Sequence, residues 1–377
     1  MFSLPDEVQL DVLKCLNFNQ LFSVRLTNFY FCNLINKYER SLARMKFEGF
    51  YLKTEETHLP YKFVELESGI FEITLNDQLK NKWQAAIDKS IPLILYNSGP
   101  NRNFIRIQKT FSGSKDDETD YLLILPNIPK NIKEMIIARC WLEHLFKCTF
   151  KGSVFECIFN PKMINILFDN DKSIPLKLNI QLTNICSKNK NFENVLNFSF
   201  NHLSTSYFNL NINDDITEQH TNILFNKIIN EGSKFTQIWL NSSNFARLYD
   251  LIIEYIATAR DCSKMAPAID LRIHNYTNYK LSERAEKVEI KQEGRIKYTN
   301  YQISNIYNSR VKFSFCNEEK NYINTKPYSE FKIRKMKPPF SSKVFNLVDM
   351  RPKADELKGA VKLDPNFKEY LQFGDES

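Results

Sequence analysis

The chain has 377 residues, 43% of them hydrophobic and 25% charged, with a net charge of +7. That balance excludes a disordered chain, and the length suits two or three domains of about 100–200 residues each. No apolar run nears the about 20 residues of a membrane helix, so a helical membrane protein is excluded as well.

The opening MFSLPDEV has no basic stretch followed by an apolar one. It does not read as a secretory signal, and a cytoplasmic or nuclear protein is expected. Ser3 to Leu42 reads instead as three short helices. Pro5 suits a first helical position, where its missing N–H costs nothing. Val8, Val12, Leu13 and Leu16 fall on one helical stripe. Asn17 and Asn19 interrupt, and Leu21, Phe22 and Val24 form a second helix. Asn28 caps a third, whose apolar face is Phe31, Leu34, Ile35, Tyr38 and Leu42. Helices of this size have little core of their own, and they show apolar residues on several faces. Either a partner's groove supplies the missing surface or the body of the same chain does.

From Phe47 the texture changes. KFVELESGIFEIT alternates as strands do, Asn76 to Lys89 reads as a helix, and Pro92 to Tyr96 as a buried strand. Ser112 to Asp120 is a polar loop before a strand at Tyr121 to Leu125, and Ile132 to Phe146 is a helix. A loose echo follows: NILFDNDKSIPLKLNIQL from Asn165 and NILFNKIINEGSKFTQIWL from Asn222 each read as helix, turn and strand. Phe245 to Ala259 with Ala268 to Asn275 makes a third such unit, and Leu196 to Ile212 reads as a hairpin. Val288 to Met336 alternates throughout, as a closing antiparallel set does. The expected fold class is α+β. A small three-helix unit over 1–45 precedes a mixed α/β body, over 46–135 and 136–336, with helices packed on sheet. A loosely attached tail covers 337–377. The alternative is an irregular α/β solenoid of stacked units.

Phosphate-binding glycine loops, zinc-protease motifs and the nucleophile elbow of hydrolases are all missing from the sequence. The eight cysteines lack framework spacing and read as free thiols. Cys140, His144 and Cys148, with Cys157 beyond, are zinc-ligand types. On one helix Cys140 and Cys148 stand about 12 Å apart along the axis. One ion with sulfur bonds of about 2.3 Å does not reach both. Buried thiols are the preferred reading, and no metal or cofactor is expected. KIRKMK, Lys332 to Lys337, offers a nucleic-acid patch, but Lys332, Arg334 and Lys337 do not all share one face of a strand. A solvated edge strand is preferred, and nucleic acid is not the expected partner. Tyr298, Tyr301 and Tyr307 suit either base stacking or sheet packing.

The most specific feature is the first segment, LPDEVQLDVLKCLNFNQLFSVRLTNFYFCNLI, which resembles an F-box. Leu4, Pro5, Glu7 and Val8 match that family's opening Leu-Pro-x-Glu-hydrophobic pattern. Leu13 and Leu16 match its ILSYL-like stretch, Leu21 and Phe22 its paired hydrophobics, and Leu34 and Ile35 the close of its third helix. Asn28 and Phe31 stand where the family often has Cys and Trp, and Asn19 and Gln20 replace its acidic second-helix start. The Asn- and Lys-rich texture resembles the expanded F-box families of plant-parasitic nematodes. The resemblance implies a non-catalytic adaptor of a ubiquitin ligase; the alternatives are a nucleic-acid-binding protein and an F-box scaffold with no degradative role. Its helices bind a Skp-family adaptor and through it a cullin, and the body holds a protein substrate. The residues implied in the Skp contact, or in its support, are Leu4, Pro5, Glu7, Val8, Val12, Leu13, Leu16, Leu21, Phe22, Phe31, Leu34 and Ile35.

Overall fold

The computed structural model describes residues 4–54, 61–64, 75–96, 104–108, 120–169, 171, 174, 176–212, 214, 216–243, 245–274, 280–320 and 328–336. The chain opens with α1 (Asp6–Lys14), α2 (Phe18–Thr27) and α3 (Phe29–Tyr38), three short helices as the sequence predicts. Pro5 is the N-cap of α1, one position earlier than expected. Asn17, read as an interruption, is the N-cap of α2. Its side chain accepts from the Gln20 N–H while the Gln20 side chain accepts from the Asn17 N–H, each at 2.9 Å. Asn28 caps α3 by accepting from the Phe31 N–H at 3.0 Å. The helices close a small core of Leu13, Leu21, Phe31, Leu34, Ile35 and Leu42, separate from that of the body.

The body is built on one mixed sheet of 14 strands among the described residues. Its centre is six parallel strands lying side by side in chain order: β1 (Lys46–Lys53), β6 (Thr149–Phe155), β8 (Leu178–Ser187), β10 (Tyr207–Ile212), β11 (Gln237–Ser242) and β12 (Ala268–His274). The crossovers carry α4 (Asp77–Asp88), α5 (Ile132–Lys147), α6 (Pro161–Phe168), α7 (Phe192–His202), α8 (Glu218–Glu231) and α9 (Ala246–Thr258). Parallel strands laid down in order by crossovers of one hand receive all their helices on the same face. Residues on alternate strand positions therefore divide into a covered set and an open set. Leu52, Phe155, Ile185, Leu210, Leu240 and Leu271 form one register row on the helix side, and all are buried. The Trp83 indole donates to the Ile166 carbonyl at 3.1 Å, tying α4 to α6.

Beside β1 lie β4 (Phe104–Gln108), β5 (Asp120–Leu123) and β2 (Tyr61–Val64). Beside β12 lie β16 (Tyr328–Lys335), β15 (Lys312–Lys320), β14 (Ile296–Ser304) and β13 (Glu286–Glu293), the antiparallel set the alternation predicts. β13 reads EKVEIKQE, and its charges blunt this edge against further pairing. Two short strands, β3 (Ile94–Tyr96) and β7 (Cys157–Phe159), pair apart, and β9 (Leu203–Ser204) adds to β8.

Two sequence expectations change. Leu196 to Ile212 is not a hairpin but the end of α7 followed by β10. Leu196, Phe198 and Phe200 alternate as in a strand, yet Phe192, Val195, Leu196 and Ser199 repeat at helical spacing. Neighbours cover α7 on several sides, so both sets are buried. The echo is thus a run of four helix–strand units, α6–β8 through α9–β12. The division at 135/136 falls inside α5, and β1, β4 and β6 neighbour one another in a single sheet across it. All of KFVELESGIFEIT after Val64, most of the polar loop at 112–120 and the tail over 337–377 lie outside the described residues.

Candidate functional site

Two surfaces stand out, and the first is the amino-terminal unit. The twelve residues singled out by the sequence separate into two groups. Leu13, Leu21, Phe31, Leu34 and Ile35 are buried in the helices' own core, with Leu16 and Phe22 half-buried. These are covered, wholly or in part, by the chain itself. Leu4, Pro5, Glu7, Val8 and Val12 are exposed. Val8 and Val12 stand four residues apart, so an apolar stripe runs along the outside of α1, and Leu4 is exposed just ahead of the helix.

A neighbouring patch escaped the sequence reading. Leu26, Phe29 and Tyr30 crown the α2–α3 corner, and Phe29 is 80% exposed. The Tyr30 hydroxyl donates to the buried Gln9 side chain at 2.7 Å, and Gln9 in turn donates to the Leu4 carbonyl at 2.6 Å. These bonds hold the corner beside α1. The available signal was Phe29 itself, a large apolar residue off the stripe of its own helix. The unit is seated on the body at the end of α5. Arg44 donates to the Phe146 carbonyl at 3.2 Å, Lys147 pairs with Glu39 at 3.1 Å, and the Thr149 N–H donates to the Met45 carbonyl at 2.8 Å.

Residues 1–41 match the family model of the F-box domain. The chain carries an F-box domain. Residues 64–215 match a second family model, described as a domain of unknown function (DUF8381). No curated protein and no solved structure matches the chain. F-box proteins are typically non-catalytic adaptors of ubiquitin ligases, and the F-box here supports that general role. No helix among the described residues is long and apolar enough to cross a membrane.

The second surface is the open face of the sheet. Side chains of adjacent strands meet there in register. Amides run in a ladder across four strands: Asn211 donates to Asn184 at 2.6 Å, Asn241 to Asn211 at 3.1 Å, and the His274 ring meets Asn241 at 2.8 Å. Next to the ladder lies a charge network. Arg272 pairs with Glu330, Lys320 with both Glu330 and Glu318, Lys332 with Glu318, and Arg334 with Asp270. Lys332 and Arg334 of KIRKMK are thus occupied by carboxylates of the same chain and Lys335 donates to the Cys262 carbonyl, which weakens the nucleic-acid reading. Tyr301 is buried and stacks on Phe315 at 4.8 Å between centroids, so it packs the sheet.

The network carries a pH dependence. Burial alone would raise the Glu330 carboxyl, but the side-chain bonds from Lys320 and Arg272 outweigh it and hold it below its ordinary value of 4.5. Glu318 is held down in the same way by Lys332 and Lys320. A carboxyl depressed in the folded state stabilises it fully above the ordinary value, and that stability is lost as pH falls through the folded value. The stability gap between the native chain and Glu330→Gln is expected to stay constant above about pH 5 and to shrink below it. Urea denaturation at stepped pH checks this, and a gap that widens on acidification would contradict it.

Cys140 and Cys157 are buried, and burial pushes both thiols up to about 12. Glu143 and Glu156 respectively contribute to that rise, and Arg139 opposes it at Cys140. His144 is lowered, first by burial and then by Lys147. Thiols held protonated by burial in this way are poor nucleophiles at about pH 8. Iodoacetamide at that pH is expected to alkylate the exposed Cys15 and to spare Cys140 and Cys157 until the chain unfolds. Peptide mapping by mass spectrometry reads the outcome.

Proposed function

We propose that this chain is the substrate-binding subunit of a Skp–cullin–F-box ubiquitin ligase. Residues 1–45 are the adaptor-binding unit. In this reading Leu4, Pro5, Glu7, Val8 and Val12 touch the Skp-family adaptor, and Leu13, Leu16, Leu21, Phe22, Phe31, Leu34 and Ile35 set the shape beneath them. The cullin is reached through the adaptor. The sheet and helices of the body hold a protein substrate. The subunit breaks no bond. It raises the effective concentration of a substrate lysine beside the activated ubiquitin, in the cytoplasm or nucleus.

One observation carries this reading. The F-box helices already close their own core, and they still expose Val8 and Val12 on one face of α1, with Leu4 exposed just ahead of it. Apolar residues aligned on an exposed helix face suit a partner groove. Co-expression with a Skp-type adaptor tests it. A stable complex is expected on size exclusion. After addition of a cullin–RING pair and a ubiquitin-charged conjugating enzyme, ubiquitin is expected on lysines of the chain itself. Separate elution of chain and adaptor would overturn the proposal.

A further inference from the structure

We infer that a groove on the open sheet face takes the substrate as an extended, uncharged peptide segment bearing a large apolar side chain. The inference rests on the substrate-receptor reading above and names where and what that receptor binds. The groove has a volume of about 480 Å³ and crosses β1, β6, β8, β10 and β11. Five strands span about 19 Å, the length of about six extended residues.

Its walls are apolar where a solvated sheet face is ordinarily polar. Leu182, Tyr207 and Trp239 are 47%, 38% and 37% exposed on three adjacent central strands. At the far wall a Cβ on Gly49 would run into the Tyr51 ring, so the glycine lets that ring lie flat along the strand. The Tyr51 hydroxyl donates to Gln108 at 2.9 Å and Arg106 stacks on the ring, which fixes the wall. Gly152, paired with Leu182, leaves the floor deep.

Charge decides the occupant. The groove is lined by no ionisable group other than its tyrosines, and the charges at its rims are met within the chain: Arg106 by Asp120, Arg272 by Glu330 and Asp270 by Arg334. A charged occupant would lose its water there without gaining a partner. Of the three lining residues with an unpartnered buried side-chain atom, Ser153 and Thr183 belong by alternation to the covered row of Phe50 and Phe208, and Asn209 alone stands in an open-face row. Asn209 Oδ1 is buried without a donor, in the register row between Asn184 and Trp239. A peptide backbone presents an N–H that such an acceptor needs. A sugar would ask for several open polar groups, whereas Asn184, Asn211 and Asn241 already bond to one another.

The test uses the full chain with a Skp-type adaptor and three peptide arrays of about ten residues, alike except for charge. One is neutral with a central Phe or Leu, one has Asp in place of Ser, and one has Lys. The neutral array is expected to bind. Trp239→Ala and Gly152→Ile are each expected to weaken that binding about tenfold or more, with thermal unfolding unchanged. Gly152→Ile fills the groove from a position where a Cβ meets only ordinary contact. Preference for a charged array, binding to none, or equal binding by both variants would overturn the inference. So would competition by an oligosaccharide, or binding that emerges only when 337–377 is removed, which would make the chain's own tail the occupant. Adaptor co-elution is read on the same sample. Its loss with peptide binding kept defeats the ligase reading, and the reverse defeats this one.

Discussion

Val8→Glu combined with Val12→Glu is expected to abolish co-purification with a Skp-type adaptor while the chain remains folded. Both side chains point outward, at 43% and 41% exposure, so neither carboxylate meets the buried core of Leu13, Leu21 and Leu34. In a complex the same positions would be covered. Covering the exposed two-fifths of two valines contributes roughly 1–2.5 kcal/mol, and placing carboxylates there adds a desolvation cost of roughly a few kcal/mol more. A loss of about 4 kcal/mol corresponds to roughly a thousandfold in affinity. Thermal unfolding by circular dichroism should match that of the native chain. Leu13→Glu, one position on, should instead disrupt the helices, because Leu13 is fully buried. Undiminished adaptor binding by the double variant would refute the proposed face.

Phe50→Ala is expected to cost about 3–5 kcal/mol of stability, measured by urea denaturation. Phe50 is fully buried on β1, the strand that joins the parallel run to the β4–β5–β2 flank. Its ring meets those of Phe150, Phe155 and Phe159 at centroid distances of 5.1, 5.5 and 6.4 Å. Removing it leaves a void that these rings cannot close without breaking the register of β1 with β6. Leu182→Ala on the open face is the control. It is half in water already and should cost less than about 1 kcal/mol. Equal effects of the two changes would mean that the covered and open faces have been misassigned.

The elements most legible in the sequence are those whose determinants are local. The helix at α4 ends within one residue of Asn76 to Lys89, because Asn76 caps it through the Leu79 N–H and Leu79, Trp83 and Ala86 make its stripe. The strands β14, β15 and β16 show themselves by alternation, since one face of each is buried. Within the F-box, spacing located the helices, and the resemblance named the residues expected at a partner contact. It did not separate Val8 and Val12 from Leu13. Both kinds of residue are apolar, and only the packing of α2 and α3 against α1 shows which side is closed.

The sequence by itself determined the class, the three opening helices, the F-box and the absence of familiar catalytic motifs, because each depends on residue types at short spacing. The tertiary structure alone decided that α7 is a helix and that the helix–strand units lie side by side in one sheet. It alone brought Tyr51, Leu182, Tyr207 and Trp239, scattered over nearly two hundred positions, onto one open face. The reason is physical. Which side of a strand is covered depends on where its crossover helices fall, and that is set by strand order across the sheet, an interaction among distant segments that no local pattern encodes.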